Sequence, residues 1–141
     1  MAAYIKYYQF IENVFKGVHN FTSDGTSTLM VALSNTAGDI VQTVEVLASV
    51  TEISYTFCST RVFANVTCEQ TTGTVALAAD DLVLTASGGT VGPFQYVIVY
   101  DDDPTSPLRP LVCCFDYGSA VTLQDTETFT INLPTNLFTA T

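Results

Sequence analysis

The 141-residue chain has no tryptophan, one histidine and only four basic residues, Lys6, Lys16, Arg61 and Arg109. Against 14 acidic residues this leaves a formal charge of −10. The basic footprint that nucleic acid and anionic membrane both require is therefore missing. A lone histidine restricts Ser-His-Asp or Cys-His catalysis to arrangements that use His19. No Gly-x-Ser-x-Gly motif accompanies it, and its place just after a helical segment predicts a C-terminal cap or dipole partner. Without tryptophan, paired carboxylates for glycoside hydrolysis lack the residue that most often lines their cleft. The four cysteines, Cys58, Cys68, Cys113 and Cys114, form no Cys-x-x-Cys pair, which argues against zinc. They are expected to be reduced, small apolar core residues, with a Cys58–Cys68 bridge as the alternative. No apolar run reaches the ~18–20 residues that cross a bilayer. No basic segment leads into an apolar one at the N-terminus, so synthesis and folding in a cytoplasm are expected.

What is present is apolar and threonine-rich. Hydrophobic residues make up 48% and charged residues 13%, too apolar for disorder. The length suits a single domain, residues 1–141, that buries a core without metal or disulfide. Two long apolar runs dominate, Gly92–Tyr100 and Pro110–Gly118. Between them Asp101-Asp102-Asp103-Pro104-Thr105-Ser106-Pro107 reads as a loop, so the three segments predict a central hairpin. Further strands are expected at Thr28–Leu33, Thr74–Ala79, Leu82–Ala86 and Thr126–Leu133. In the last, Glu127, Phe129, Ile131 and Leu133 alternate with Thr126, Thr128, Thr130 and Asn132, so one face meets a core and the other solvent. Ser23–Ser27 and Ser87–Thr90 are turn clusters, and Ser34–Asp39 is loop-like. Thr43–Val50 fits strand or short helix, and Ser54–Val66 is β-rich but irregular. Frequent turns between short strands predict a mainly β fold, an antiparallel β-sandwich or barrel-like domain with one N-terminal amphipathic helix.

That helix is expected over residues 3–18, within an N-terminal segment 1–20. Tyr4, Tyr7, Tyr8, Ile11, Val14, Phe15 and Val18 fall on one side at helical spacing. Lys6, Gln9, Glu12, Asn13 and Lys16 fall on the other, with Ile5 the one apolar residue among them. Gly17 and Asn20 supply the stop. The stripe calls for burial on its own domain or on a neighbouring subunit, with its own domain favoured. Tyr4, Tyr8, Ile11 and Phe15 are the candidate contact residues.

Chemistry is sparse. Asp80-Asp81 and Asp101-Asp102-Asp103 offer oxygen ligands for a hard cation but match no EF-hand spacing, and solvated acidic turns explain them better. Ser87–Gly92 is glycine-rich without a helix after it, so no phosphate loop is expected. No catalytic residue, cofactor or metal is assigned. Tyr55, Phe57, Tyr96 and Tyr100 would have to be exposed together to form a sugar-binding face; core positions suit them better.

Several segments, in fixed order, resemble a family of small virion proteins of tailed bacteriophages. They are Phe10–Val14 through Gly17–Phe21, Leu29–Ala37, Gly88–Tyr96, Tyr100-Asp101, Phe115–Leu123 and Glu127–Ile131, so that most of the chain outside Ile40–Thr72 is covered. Such proteins are similar to capsid decoration, or cement, proteins. The resemblance implies a structural, non-enzymatic homo-oligomer, often a trimer, that binds the major capsid protein on the outer surface of the head. The charge argues for no nucleic-acid and no membrane partner. Where the family carries tryptophans beside Asp116-Tyr117-Gly118, this chain has Cys113 and Cys114. A tail, neck or fibre component, a virion-surface carbohydrate-binding module and a small hydrolase are the alternatives.

Overall fold

The computed structural model describes residues 2–21 and 27–141. In chain order the elements are β1 (Ala3–Lys6), α1 (Tyr8–Phe15), β2 (Leu29–Ser34), β3 (Thr67–Thr71), β4 (Thr74–Ala78), β5 (Leu82–Thr85), β6 (Val91–Asp101), β7 (Leu111–Leu123), β8 (Thr128–Ile131) and β9 (Phe138–Ala140). Short 3-10 turns at Ala37–Ile40 and Leu47–Ser49 lie between β2 and β3. The predicted turn at Ser23–Ser27 falls, except for Ser27, outside the described residues.

The expected hairpin is the centre of the molecule. β6 and β7 pair antiparallel, with Val97 opposite Phe115, Ile98 opposite Cys114 and Val99 opposite Cys113. β1 adds to β7 and β2 adds to β6, giving a four-stranded sheet in the order β1-β7-β6-β2. A three-stranded sheet β3-β4-β9 and the pair β5-β8 complete the β structure. Every strand pairing is antiparallel.

The centre of the four-stranded sheet, Tyr96–Asp101 of β6 and Leu111–Phe115 of β7, is buried on both faces, which explains the two apolar runs. Side chains alternate across a strand. Val31, Val97, Val99, Cys113 and Phe115 enter the larger core with Leu77, Leu82, Leu84 and Ile131 from the opposing strands. Ala32, Ile98, Tyr100, Leu111 and Cys114 enter a second core with Tyr7 and Leu47. A strand covered on both sides has no need of polar alternation. The adjacent cysteines thus point to opposite faces and both are fully buried. Burial of one such side chain as large as Ile98 contributes roughly 2 kcal/mol.

The free edge of β2 is closed by irregular backbone rather than by a strand. Val31 N–H donates to Arg61 O, Phe63 N–H to Leu29 O and Ile53 N–H to Leu33 O. Residues 52–53, and residues 61–63 of the irregular Ser54–Val66 segment, are therefore an edge cover, which blocks pairing with another chain. Thr43–Val50, open between strand and helix, is neither: Val46 makes an isolated bridge to Pro110 and a 3-10 turn follows. Thr72 and Gly73 both have positive φ, 50° and 86°, and form the two-residue turn of the β3–β4 hairpin. Every residue of β3 is exposed, so no apolar alternation announced it.

The N-terminal expectation needs correction. Residues 3–6 form β1, and the helix is only the eight residues Tyr8–Phe15. Ile5, the misfit in a helical pattern, is regular in a strand. Tyr4 packs on Phe115 in the larger core and Ile5 on the second core. The stop at Gly17 is as expected. Gly17 has φ +72°, its N–H donates to Val14 O, and Val18 N–H donates to Asn13 O; this is the left-handed helix end that glycine favours.

Candidate functional site

Helix α1 is mounted rigidly but turned away from the predicted orientation. Its entry is fixed by Tyr7, whose N–H donates to Val112 O and whose hydroxyl donates to Asp39 O at 2.6 Å. Tyr8 N–H donates to Gln42 O. Its buried residues are Phe10 and Asn13, and Phe10 meets Phe138 edge-on at 5.3 Å. The residues opposite them, Tyr8 and Phe15, are 63% and 88% exposed. Seven residues apart, they share one side of the helix, about 10 Å apart along its axis. The expectation that the aromatic stripe packs on its own domain is thus overturned for these two. An eight-residue helix is oriented by its anchored ends, and those ends place Phe10, not Tyr8, over the core.

The four candidate contact residues do not form one surface. Tyr8 and Phe15 lie on the outer face of α1. Ile11 is half-buried and packs on the larger core. Tyr4 belongs to β1, where its hydroxyl donates to Leu137 O at 2.7 Å. On the outer face, Lys16 pairs with Glu12, and Gln9 donates to Glu12 at 2.8 Å. The hydrogen bond from Lys16 holds the Glu12 carboxyl below its ordinary range. Val41, 51% exposed, lies beside the Gln42 carbonyl that anchors the start of the helix.

His19 is not a helix cap. Its Nδ1 lies 2.8 Å from Asp101 Oδ2, and the two side chains are 1% and 0% exposed. Its ring stacks on Phe21 and tilts against Phe10, each at 5.2 Å. Ser27 Oγ donates to the same Asp101 oxygen. A histidine base would have to accept from the serine hydroxyl; here both groups converge on the carboxylate instead, inside the fold. Asp101 is accordingly no solvated turn residue, contrary to expectation. Asp102 pairs with Arg109 at 2.8 Å, Asp80 accepts from Asn65 at 2.6 Å, and Asp81 accepts from Leu133 N–H at 2.7 Å. Among the described residues no three His, Cys, Asp or Glu side chains gather as a metal site, and no helix is long and apolar enough to cross a membrane.

All four cysteines are free thiols. Cys113 and Cys114 are core residues as expected. Cys58 is half-buried and Cys68 is exposed on β3, so the expectation of four core cysteines fails at Cys68. Burial pushes the Cys114 thiol up to about 11 and Cys113 well above its usual value.

The four aromatics that a sugar-binding face would need, Tyr55, Phe57, Tyr96 and Tyr100, are dispersed. Tyr96 and Tyr100 are buried. Tyr55 lies under the Arg61 guanidinium, 3.6 Å from its ring centre. Phe57 covers Gly88 and Gly89. A different aromatic surface exists beside β1. A cleft of about 550 Å3 is lined by Tyr4, Phe115, Tyr117, Asn132, Leu133 and Pro134. Nothing in the sequence brought it to notice, because its walls come from β1, β7 and the segment after β8.

Set against models of protein families, curated proteins and solved structures, the chain matches none.

Proposed function

We propose that the protein is a structural, non-enzymatic component of a tailed-phage virion, a decoration (cement) protein. It binds the outer surface of the head and stabilises contacts between major capsid protein subunits, acting as a homo-oligomer, with a trimer expected. The observation that carries this is the pair Tyr8 and Phe15, presented to solvent on a helix whose other side is locked to the core. A large aromatic left 88% exposed contributes little to its own fold. Buried against a partner it contributes roughly 2 kcal/mol. Repeated over a lattice, such modest contacts add through multivalency. The resemblance of the ordered segments to phage virion proteins supports the choice of partner, and the charge of −10 suits an exterior surface better than one beside packaged DNA.

Quantitative mass spectrometry of purified virions tests the proposal through the copy number relative to the major capsid protein. A ratio near one, or a simple large fraction of it, is the expected result. A handful of copies assigns the protein to tail, neck or fibre. Absence from the particle overturns the virion role.

A further inference from the structure

We propose that the cleft beside β1 is a binding site for a neutral saccharide, with Tyr4 and Tyr117 as its platform and Tyr117, Asn132 and Asp81 as its hydrogen-bonding groups. The two rings are held in place from behind. Tyr4 meets Phe115 at 5.6 Å and 60°, and Tyr117 meets Phe129 at 4.9 Å and 68°. The Tyr4 hydroxyl is committed to Leu137 O, so that ring can turn no further into the cleft. A fixed aromatic surface suits the C–H face of a pyranose, which loses water on stacking as any apolar surface does.

The hydrogen-bonding capacity around this platform is unspent. The Tyr117 hydroxyl and the Asn132 side chain have no hydrogen bond to the described residues. Asp81 uses one carboxylate oxygen for Leu133 N–H, and the other has no hydrogen bond to the described residues. Burial first, then the Asp81 charge, pushes the Tyr117 hydroxyl up, so it stays a protonated donor at neutral pH. An amide, a phenol and a carboxylate provide both donors and acceptors, which is what vicinal sugar hydroxyls demand. The cleft's volume of about 550 Å3 lies within the range of small-ligand sites.

Charge narrows the ligand. No lining residue is charged, Asp81 is bonded to the wall through Leu133 N–H, and the whole chain carries −10. Acidic sugars, phosphates and nucleotides are therefore repelled. A quaternary ammonium group would want a cage of aromatic faces. Phe115 is only 3% exposed, so two rings, not three, offer surface. The cleft shares no residue with the outer face of α1, and its test is independent of head binding.

The experiment is an amide-resolved NMR titration of the full chain with the methyl pyranosides of glucose, galactose, mannose and N-acetylglucosamine, alongside choline and an oligoproline peptide. At least one pyranoside should give saturable shifts at Tyr4, Tyr117, Asn132 and Leu133. Tyr117→Phe and Asn132→Ala should each weaken it by roughly tenfold, the loss of one hydrogen bond. Tyr117→Phe keeps the ring and so separates ligand binding from packing, while the variants' own spectra report on folding. The proposal is overturned if no pyranoside moves these amides. It is equally overturned if the folded variants bind as tightly as the parent, or if only choline or oligoproline occupies the cleft.

Discussion

His19 and Asp101, 82 residues apart in the chain, meet as a buried pair with Nδ1 2.8 Å from Oδ2. The contact ties the exit of α1 to the end of β6. Asp101 also accepts from Ser27 Oγ, Thr28 N–H and Asp103 N–H. One carboxylate thus gathers the start of β2, the end of β6 and the chain leaving α1. The Nε2 side of the His19 ring has no partner among the described residues, so the orientation of the ring rests on Nδ1 and on the two phenylalanines.

Asp101→Asn replaces an acceptor of several hydrogen bonds with a group that is half donor. The expected cost is about 3 kcal/mol of folding stability, read from urea unfolding. A loss below about 0.5 kcal/mol, the range of ordinary surface changes, would show that the cluster is not a structural tie.

The double change Tyr8→Ser and Phe15→Ser removes the exposed aromatic pair of α1. Stability should change by less than about 1 kcal/mol, because neither ring packs on the core. Association with heads, measured by co-sedimentation, should drop by at least about tenfold. Unchanged association would remove this face from the contact.

Thiol chemistry should divide the cysteines. A disulfide-exchange reagent should modify exposed Cys68 in the native protein, and modify Cys113 and Cys114 only on unfolding. The same burial sets an alkaline limit. Cys114 titrates at about 11 in the fold against an ordinary 9.0. The unfolded chain therefore loses its proton first. The stabilisation is fully present below pH 9 and lost as pH rises to about 11. Tyr4 and Tyr7, raised chiefly by burial from 10.0, add to the loss above pH 10. Denaturant midpoints should fall steadily from pH 9 to 11; a flat profile would contradict the buried thiol and phenols.

Gly92→Ala should cost about 2–4 kcal/mol. Gly92 has φ +122°, and an added Cβ would lie 2.6 Å from Val121 O, at the irregular stretch where β6 slips register against β7. Thermal unfolding reads the effect. Gly38→Ala, where nothing lies within 4 Å and φ is ordinary, is the control and should leave the midpoint nearly unchanged.

The parts of the fold legible in the sequence are those whose signal is local and strong. The β6–β7 hairpin shows as two apolar runs around a proline- and aspartate-rich break. β8 shows as Phe129 and Ile131 alternating with threonines, and the helix stop shows as Gly17. What was illegible depended on distant partners. β1 was hidden because Tyr4, Tyr7, Tyr8 and Ile11 also satisfy helical spacing, and four residues are too few to separate the two periods. β9 and the cleft walls were hidden because Phe138 and Pro134 acquire their neighbours only in three dimensions.

The sequence by itself determined a mainly antiparallel β protein with one N-terminal amphipathic helix, an acidic composition and no basic footprint. Composition, periodicity and turn chemistry act locally and need no partner. Tertiary structure decided which aromatics are free. Tyr8 and Phe15 face outward because Tyr7 and Gly17 fix the ends of α1, and Phe10 fills the core. It also decided that Asp101 is buried while Asp102 and Asp103 are not. Burial belongs to the packing of segments distant in the chain, and no local pattern encodes it.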